Sequence, residues 1–273
     1  MDQGVWGTVR VLLAVFAYGL RRYSTYRWAT AASVVVNSVF GVINALVLLA
    51  VFETRPQING YTAADAVTQV FLAQAFIGVT AIFGPPLELG ERIRDGQVAM
   101  DLMRPVGFVR WWLATDLGRA AFNVLARSVP TFAVGVVLFD LALPAEPLRW
   151  VAVLVALVLA ALVGFGLRYL YALAGFWLLD TRGVDAVAWL LGPFCSGMIL
   201  PLVLFPDAVA AILRTLPWAA LVQVPAEILL GRTVLPGGTL GGLAYQAAWA
   251  AALLVLGTVL TARATRRVVV QGG

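Results

Sequence analysis

The sequence predicts an all-α polytopic membrane protein: six transmembrane helices, an N-terminal interfacial helix, a charged cytoplasmic helix and two short outer re-entrant helices. Three observations predict it. Hydrophobic residues fill 62% of the 273 positions and charged residues 12%, about half the charged share of a soluble domain. Several apolar runs reach the roughly 20 residues a helix needs to cross a bilayer core, without the period-2 alternation of a barrel strand. The nineteen basic residues are all arginine, and they divide unequally between the two sides that such spans define.

Residues 1–27 come first. Trp6, Val9, Leu13, Phe16 and Leu20 form a helical stripe edged by Arg10 and Arg21, which reads as a helix lying in the interface plane. A secretory signal would carry its charges ahead of the apolar part, whereas Arg21, Arg22 and Arg27 follow it. Spans are then expected at about 28–52, 66–85, 123–143, from 148 with helix continuing towards 179, at 184–205 and at 240–262. No internal repeat is evident and no loop could hold a second folded unit, so 1–273 reads as one transmembrane domain. Fifteen arginines fall in the N-terminal segment, after spans two and four with their flanks, and in the C-terminal tail. Arg55, Arg149, Arg214 and Arg232 fall on the other side. That asymmetry places both termini in the cytoplasm, and a seventh span within 1–27 would spoil it.

Segment 87–119, between spans two and three, is the most charged part of the chain. Glu88 and Arg92 stand at i,i+4 and Glu91 and Arg94 at i,i+3, so a helix there is expected to carry facing ion pairs. Gly96 ends that helix, and a short turn with Val98, Met100, Leu102 and Met103 runs up to Arg104-Pro105. With Asp95 and Asp101, these charges belong either to a solvated loop helix or to a docking surface; the two-part build and the methionines favour docking.

Polar and bending residues recur inside the spans. Thr30, Ser33, Asn37, Gly41 and Asn44 share one face of the first span, which serves helix packing or lines a translocation path. Gln69, Phe76, Thr80 and Phe83 share a side of the second and form either an aromatic wall for an apolar ligand or ordinary packing. The fifth segment contains Gly192-Pro193-Phe194-Cys195-Ser196-Gly197-Met198 and Pro201; two prolines and two glycines predict a bent or broken helix beside a cavity or moving part. Arg127 and Arg168 are expected to snorkel to the cytoplasmic boundary. Residues 206–235 read as two short outer helices, one from Pro206-Asp207 and one from Pro217-Trp218 through Pro225 towards Gly231.

Composition also excludes. With no histidine and one cysteine, Cys195, a protein-built zinc or transition-metal site is not expected. No span carries a mid-membrane carboxylate, which argues against a proton- or sodium-coupled carrier. A Walker A loop needs a Gly-Lys pair, and the chain has no lysine; it cannot hold nucleotide by that motif.

The layout resembles the membrane subunit of bacterial type-2 ABC exporters along essentially the whole chain. The resemblance rests on Arg21-Arg22, on Glu91-Arg-Ile-Arg-Asp-Gly96 through Leu102-Met-Arg-Pro105, on Phe176-Trp177, on Ser196-Gly-Met-Ile-Leu-Pro201 with Phe205-Pro206, and on Leu216-Pro217 through Pro225 to Gly231. It is nearest to permeases that act as unlike pairs beside one ATPase, some in drug or viologen export.

The resemblance implies a permease subunit of an ATP-driven exporter in the bacterial inner membrane. It also implies a cytoplasmic ATP-binding subunit dimer and a second permease, a different chain rather than a second copy. No cofactor is bound by this chain; ATP and magnesium belong to the partner ATPase. Glu88, Glu91, Arg92, Arg94, Asp95, Asp101 and Arg104 become coupling residues. Asn37, Asn44, Gln69, Phe76, Thr80, Phe83, Phe194, Ser196 and Met198 become candidates for a pathway carrying an amphipathic or hydrophobic small molecule. Pro206, Pro217, Trp218 and Pro225 become an outer lid. A non-transporting membrane scaffold and a membrane-embedded lipid-modifying enzyme are the alternative readings.

Overall fold

The computed structural model describes residues 2–83, 87–104, 106–178 and 181–265, with side chains from residue 7 onward. The expected boundaries at Pro85, Pro105 and Leu179, the Trp6 side chain, and Arg266 and Arg267 of the tail lie outside them. The described residues are helical almost throughout, the one exception to helix and loop being a single bridge between Ile58 and Tyr61.

The chain opens with α1 (Asp2–Ser24), which packs along α6 (Phe108–Asn123). Two glycines allow this closeness. A Cβ on Gly19 would stand 2.3 Å from the Thr115 carbonyl oxygen, and one on Gly118 would stand 2.1 Å from that of Phe16.

Among the described residues, five helices are long and apolar enough to cross a membrane. They are α2 (Arg27–Thr54), α3 (Ala63–Thr80), the 31-residue run Phe108–Leu138, the run Pro147–Phe176 that begins with α8 (Pro147–Leu173), and α12 (Gly238–Ala264). At α3 a capping box starts the helix: Thr62 Oγ1 accepts from Asp65 N–H while the Asp65 carboxylate accepts from Thr62 N–H, satisfying donors that the first turn leaves free. The core forms where α3 and α8 meet α11 (Gln223–Leu230), through Leu72, Phe76, Ala156, Ala160, Ile228 and Leu229. α2 is peripheral and exposes Val35, Val39, Phe40, Ile43 and Leu46.

The third span differs from expectation. Its helix starts at Phe108 rather than near 123, so the last part of segment 87–119 is helix continuous with the span. Asp116 and Arg119 neutralise each other within it, so the charges that suggested a loop do not interrupt the helix. The run passes through a π turn at Val124–Ser128 into α7 (Val129–Leu138). Pro130 follows directly; it has no N–H for the Ala126 carbonyl, and its ring crowds that oxygen.

The fifth segment is broken, as its prolines and glycines predict. α9 (Arg182–Cys195) has 14 residues, about 21 Å of helix against a hydrocarbon core of about 30 Å. Gly197 then adopts φ +77°, and a short 3₁₀ turn, Leu202–Leu204, completes the segment. Beyond it come α10 (Asp207–Thr215), a 3₁₀ turn at Pro217–Ala220, and α11. The second outer element is therefore two pieces rather than one helix from Pro217 to Gly231. α11 is buried along its length up to Leu229.

Candidate functional site

The charged segment is built from α4 (Glu88–Arg94) and α5 (Val98–Leu102). Gly96, at φ +73°, turns the chain between them. Leu89 and Val98 bury the inner face against Tyr169, Ala172 and Leu173 at the end of α8. The expected ion pairing within α4 is replaced by longer-range partners. Glu88 accepts hydrogen bonds from both terminal guanidinium nitrogens of Arg22 on α1, from Nη1 at 3.0 Å. Arg92 donates from Nε and Nη2 to Asp101 at 2.6 and 2.8 Å. Arg104 also pairs with Asp101, at 2.7 Å, while its guanidinium carbon stands 4.0 Å from the Trp111 ring centroid. Pairing outside the helix prevails because Asp101 is buried and must be neutralised. The hydrogen bonds to Asp101 push the Arg92 guanidinium pKa up, so it stays charged.

With the inner face anchored, the outward face carries Glu91, Arg94, Asp95 and Gln97, together with Met100 and Met103 at 62% and 84% exposure. Glu91 and Arg94 form no ion pair among the described residues. Charged groups and flexible thioethers together suit a protein surface that must match another.

Directly behind α4 lies a buried cluster. Asp116 accepts from Arg119 Nε at 2.7 Å and from Arg168 Nη2 at 2.6 Å. Arg119 also donates to the carbonyls of Gly78 and Val79, the latter at 2.9 Å. α3 ends just beyond them, where Ala81 turns left-handed at φ 52°, leaving last-turn carbonyls without intrahelical donors. Arg119 caps that end. The expectation that Arg168 snorkels is thus corrected: it is 9% exposed and bound to Asp116 from another helix. Arg127 is half-buried and donates to Ser33 Oγ at 2.8 Å. A cavity of about 390 Å³ opens here between Arg22, Glu88, Glu91, Asp116, Arg119, Arg127 and Arg168.

A second polar cluster ties the broken segment to its neighbours. Gln223 Oε1 accepts from Leu202 N–H at 3.0 Å and from Gln69 Nε2 at 2.7 Å. Gln69 Nε2 also reaches the Gly197 carbonyl at 3.2 Å, and Gln223 N–H donates to the Ser196 carbonyl at 3.0 Å. Gln223 Nε2 continues to Glu227 at 2.9 Å, and Arg214 of α10 pairs with Glu227. Glu227 is fully buried, so the carboxylate survives there only with these partners.

The proposed pathway residues fall in two groups. Gln69, Phe76, Thr80, Ser196 and Met198 are 0–5% exposed within the subunit. Thr80 alone of these borders a cavity of about 300 Å³ among α3, α8 and α9, with Leu167, Tyr171, Trp189 and Trp218. Asn37, Asn44 and Phe83 are half-buried and Phe194 is 45% exposed. Asn37 Nδ2 reaches the Gln74 carbonyl at 3.5 Å, Phe83 meets Trp189, and Phe194 meets Phe205 edge-on at 5.2 Å. In the outer elements Pro206 is exposed, Trp218 half-buried, and Pro217 and Pro225 buried.

Sequence reasoning missed the Asp116–Arg119–Arg168 cluster and the Gln223–Glu227–Arg214 network. The signals available were Asp116 and Arg119 at i,i+3, and Gln223 and Glu227 at i,i+4 within an otherwise apolar stretch.

A family model described as ABC-2 family transporter protein matches residues 39–272. No curated protein matches the chain.

Proposed function

We infer that this chain, which belongs to the ABC-2 transporter family and is a multi-pass membrane permease subunit of an ABC transporter, forms one half of an export pathway for an amphipathic or hydrophobic small molecule. The family implies association with an ATP-binding subunit. In our reading that subunit is a separate cytoplasmic dimer holding ATP and magnesium, and the second permease is an unlike chain, as in drug or viologen export. The protein sits in a bacterial inner membrane with both termini in the cytoplasm.

The observation that carries this reading is the split character of α4 and α5. Their inner face is fixed to α8 through Leu89 and Val98, and to α1 through Glu88. Their outer face leaves Glu91, Arg94, Asp95, Met100 and Met103 open. A segment fixed on one side and chemically varied on the other can receive a push from a partner and pass it to the spans. The outer helices α10 and α11 act as the extracellular lid, hinged at the break after α9. Phe83, Phe194, Asn37 and Asn44 are the pathway residues that reach the subunit surface, where a second permease would complete the route.

The test is co-purification and coupled ATPase activity. The detergent-solubilised chain is expected to bring down a nucleotide-binding subunit and a second, different permease. The double variant E91A/R94A is expected to keep the complex's composition while losing substrate-stimulated ATP hydrolysis. Recovery of the chain alone from native membranes would defeat the reading, as would full stimulation in the double variant.

A further inference from the structure

The cavity of about 390 Å³ at the charged end contains more arginine than its carboxylates neutralise. Arg22 is committed to Glu88, and Arg119 and Arg168 share Asp116. Glu91 stands exposed at the cavity's rim. Arg127 has no carboxylate partner among the described residues. Its Nη2 donates to a hydroxyl, Ser33 Oγ, and its Nε is enclosed without an acceptor.

Arg127 belongs to the π turn inside a run apolar enough to span a membrane. A half-buried guanidinium there, without a countercharge, is unfavourable unless an anion meets it. The surroundings indicate where such an anion comes from. Leu125 and Val129 beside it are 72% and 58% exposed, and Val35 and Val36, just past Ser33 on α2, are 62% and 50% exposed. Ser33 stands six residues inside Arg27, about 9 Å along the helix, a depth that a long arginine side chain and a locally drawn headgroup together cover. A cation in a cavity flanked by apolar surface suits an amphiphile with a phosphate head.

We propose that this cavity is a phosphate-binding site with Arg127 as its principal ligand, filled by the headgroup of an anionic phospholipid or by a free phosphate ion. The site is independent of which molecule the transporter carries, and its test reads binding rather than transport.

The full chain, with the subunits that co-purify with it, would be titrated in detergent with three probes: phosphatidylglycerol, diacylglycerol of the same acyl chains, and inorganic phosphate. Retention is followed by native mass spectrometry and stabilisation by thermal shift. Phosphatidylglycerol is expected to bind wild type and R127K alike and to weaken about fivefold in R127Q, the factor carried by one arginine near an anionic headgroup. The length-matched R127M gives the same reading if R127Q folds poorly. Phosphatidylglycerol binding that inorganic phosphate does not mimic assigns the lipid as source. Stabilisation by inorganic phosphate that is likewise lost in R127Q assigns the free anion. Equal affinity for phosphatidylglycerol in wild type and the neutral variants, with no effect of phosphate, overturns the site, as does diacylglycerol binding as tightly as phosphatidylglycerol.

Discussion

Arg92 grips both carboxylate oxygens of Asp101, at 2.6 and 2.8 Å, and so joins the two short helices of the charged segment across the glycine turn between them. The carboxylate is almost fully enclosed, while its two arginines keep one edge in solvent. Asp101→Asn keeps the shape and removes the charge that both arginines need. We expect a loss of about 1.5–3 kcal/mol, the range for a hydrogen bond to a charged group. Coupling of ATP hydrolysis to transport should fall further than thermal stability does, and thermal melting alongside ATPase assays of the reconstituted complex would check this.

Gly118→Val tests the crossing of α1 and α6. The Cβ alone would stand 2.1 Å from the Phe16 carbonyl oxygen and 3.1 Å from Gly19 Cα. Overpacking of this kind costs about 1–3 kcal/mol or more, and here the backbone itself blocks relief. α1 should come away from the bundle while the spans persist. Limited proteolysis would detect it as faster cleavage before Arg27 with the remaining fragment intact; an unchanged cleavage rate would contradict the crossing.

Asp116→Ala should be more damaging than loss of any exposed charge. It leaves Arg119 and Arg168 buried without a countercharge, a situation that costs about 3–5 kcal/mol. Replacing Asp116 and Arg168 together by Asn and Met should recover part of that loss, because one buried cation goes with its anion. Yield of monodisperse protein and melting temperature in detergent are the measurements, and a double variant worse than D116A would refute the pairing.

Gly197→Ala should weaken the outer half. The residue sits at φ +77°, and a Cβ there would meet Gln223 Oε1 at 2.5 Å. Strain of about 1–3 kcal/mol is expected, combined with displacement of the amide that holds Gln69 and Leu202. Cysteine accessibility offers a direct readout: Cys195, buried here, should react faster with a thiol reagent in the variant than in wild type.

Much of this architecture is legible in the residues because it depends on local properties. Apolar length marks the spans, Pro193 and Gly197 mark the break, and Gly96 marks the end of the first short helix. What was not legible depends on partners far apart in the chain. Glu88 could pair with Arg92 four residues on, yet it takes Arg22 at a separation of 66, and Arg168 reaches Asp116 at a separation of 52. Helical spacing reports which charges can meet on one helix and is silent about a better partner on another. The same limit hid how deeply α11 is buried. In sequence, Gln223 and Glu227 stand within a short apolar outer helix, whereas in the structure they are the polar centre around which that helix is buried.

The short α9 has a mechanical consequence. Four of the five spanning helices extend over 27 residues or more, so each could change length or direction only by breaking backbone ladders. The segment of α9, which is not one of these five, ends as helix about two thirds of the way across a hydrocarbon core. Two glutamine amides and a buried carboxylate, together with the Asn59 amide on the Val203 carbonyl, tie its outer continuation to the bundle. Side-chain amides can exchange one carbonyl or N–H for another by rotating about single bonds, with no helix melted. That corner of the bundle is therefore held largely by side chains rather than by a continuous backbone ladder.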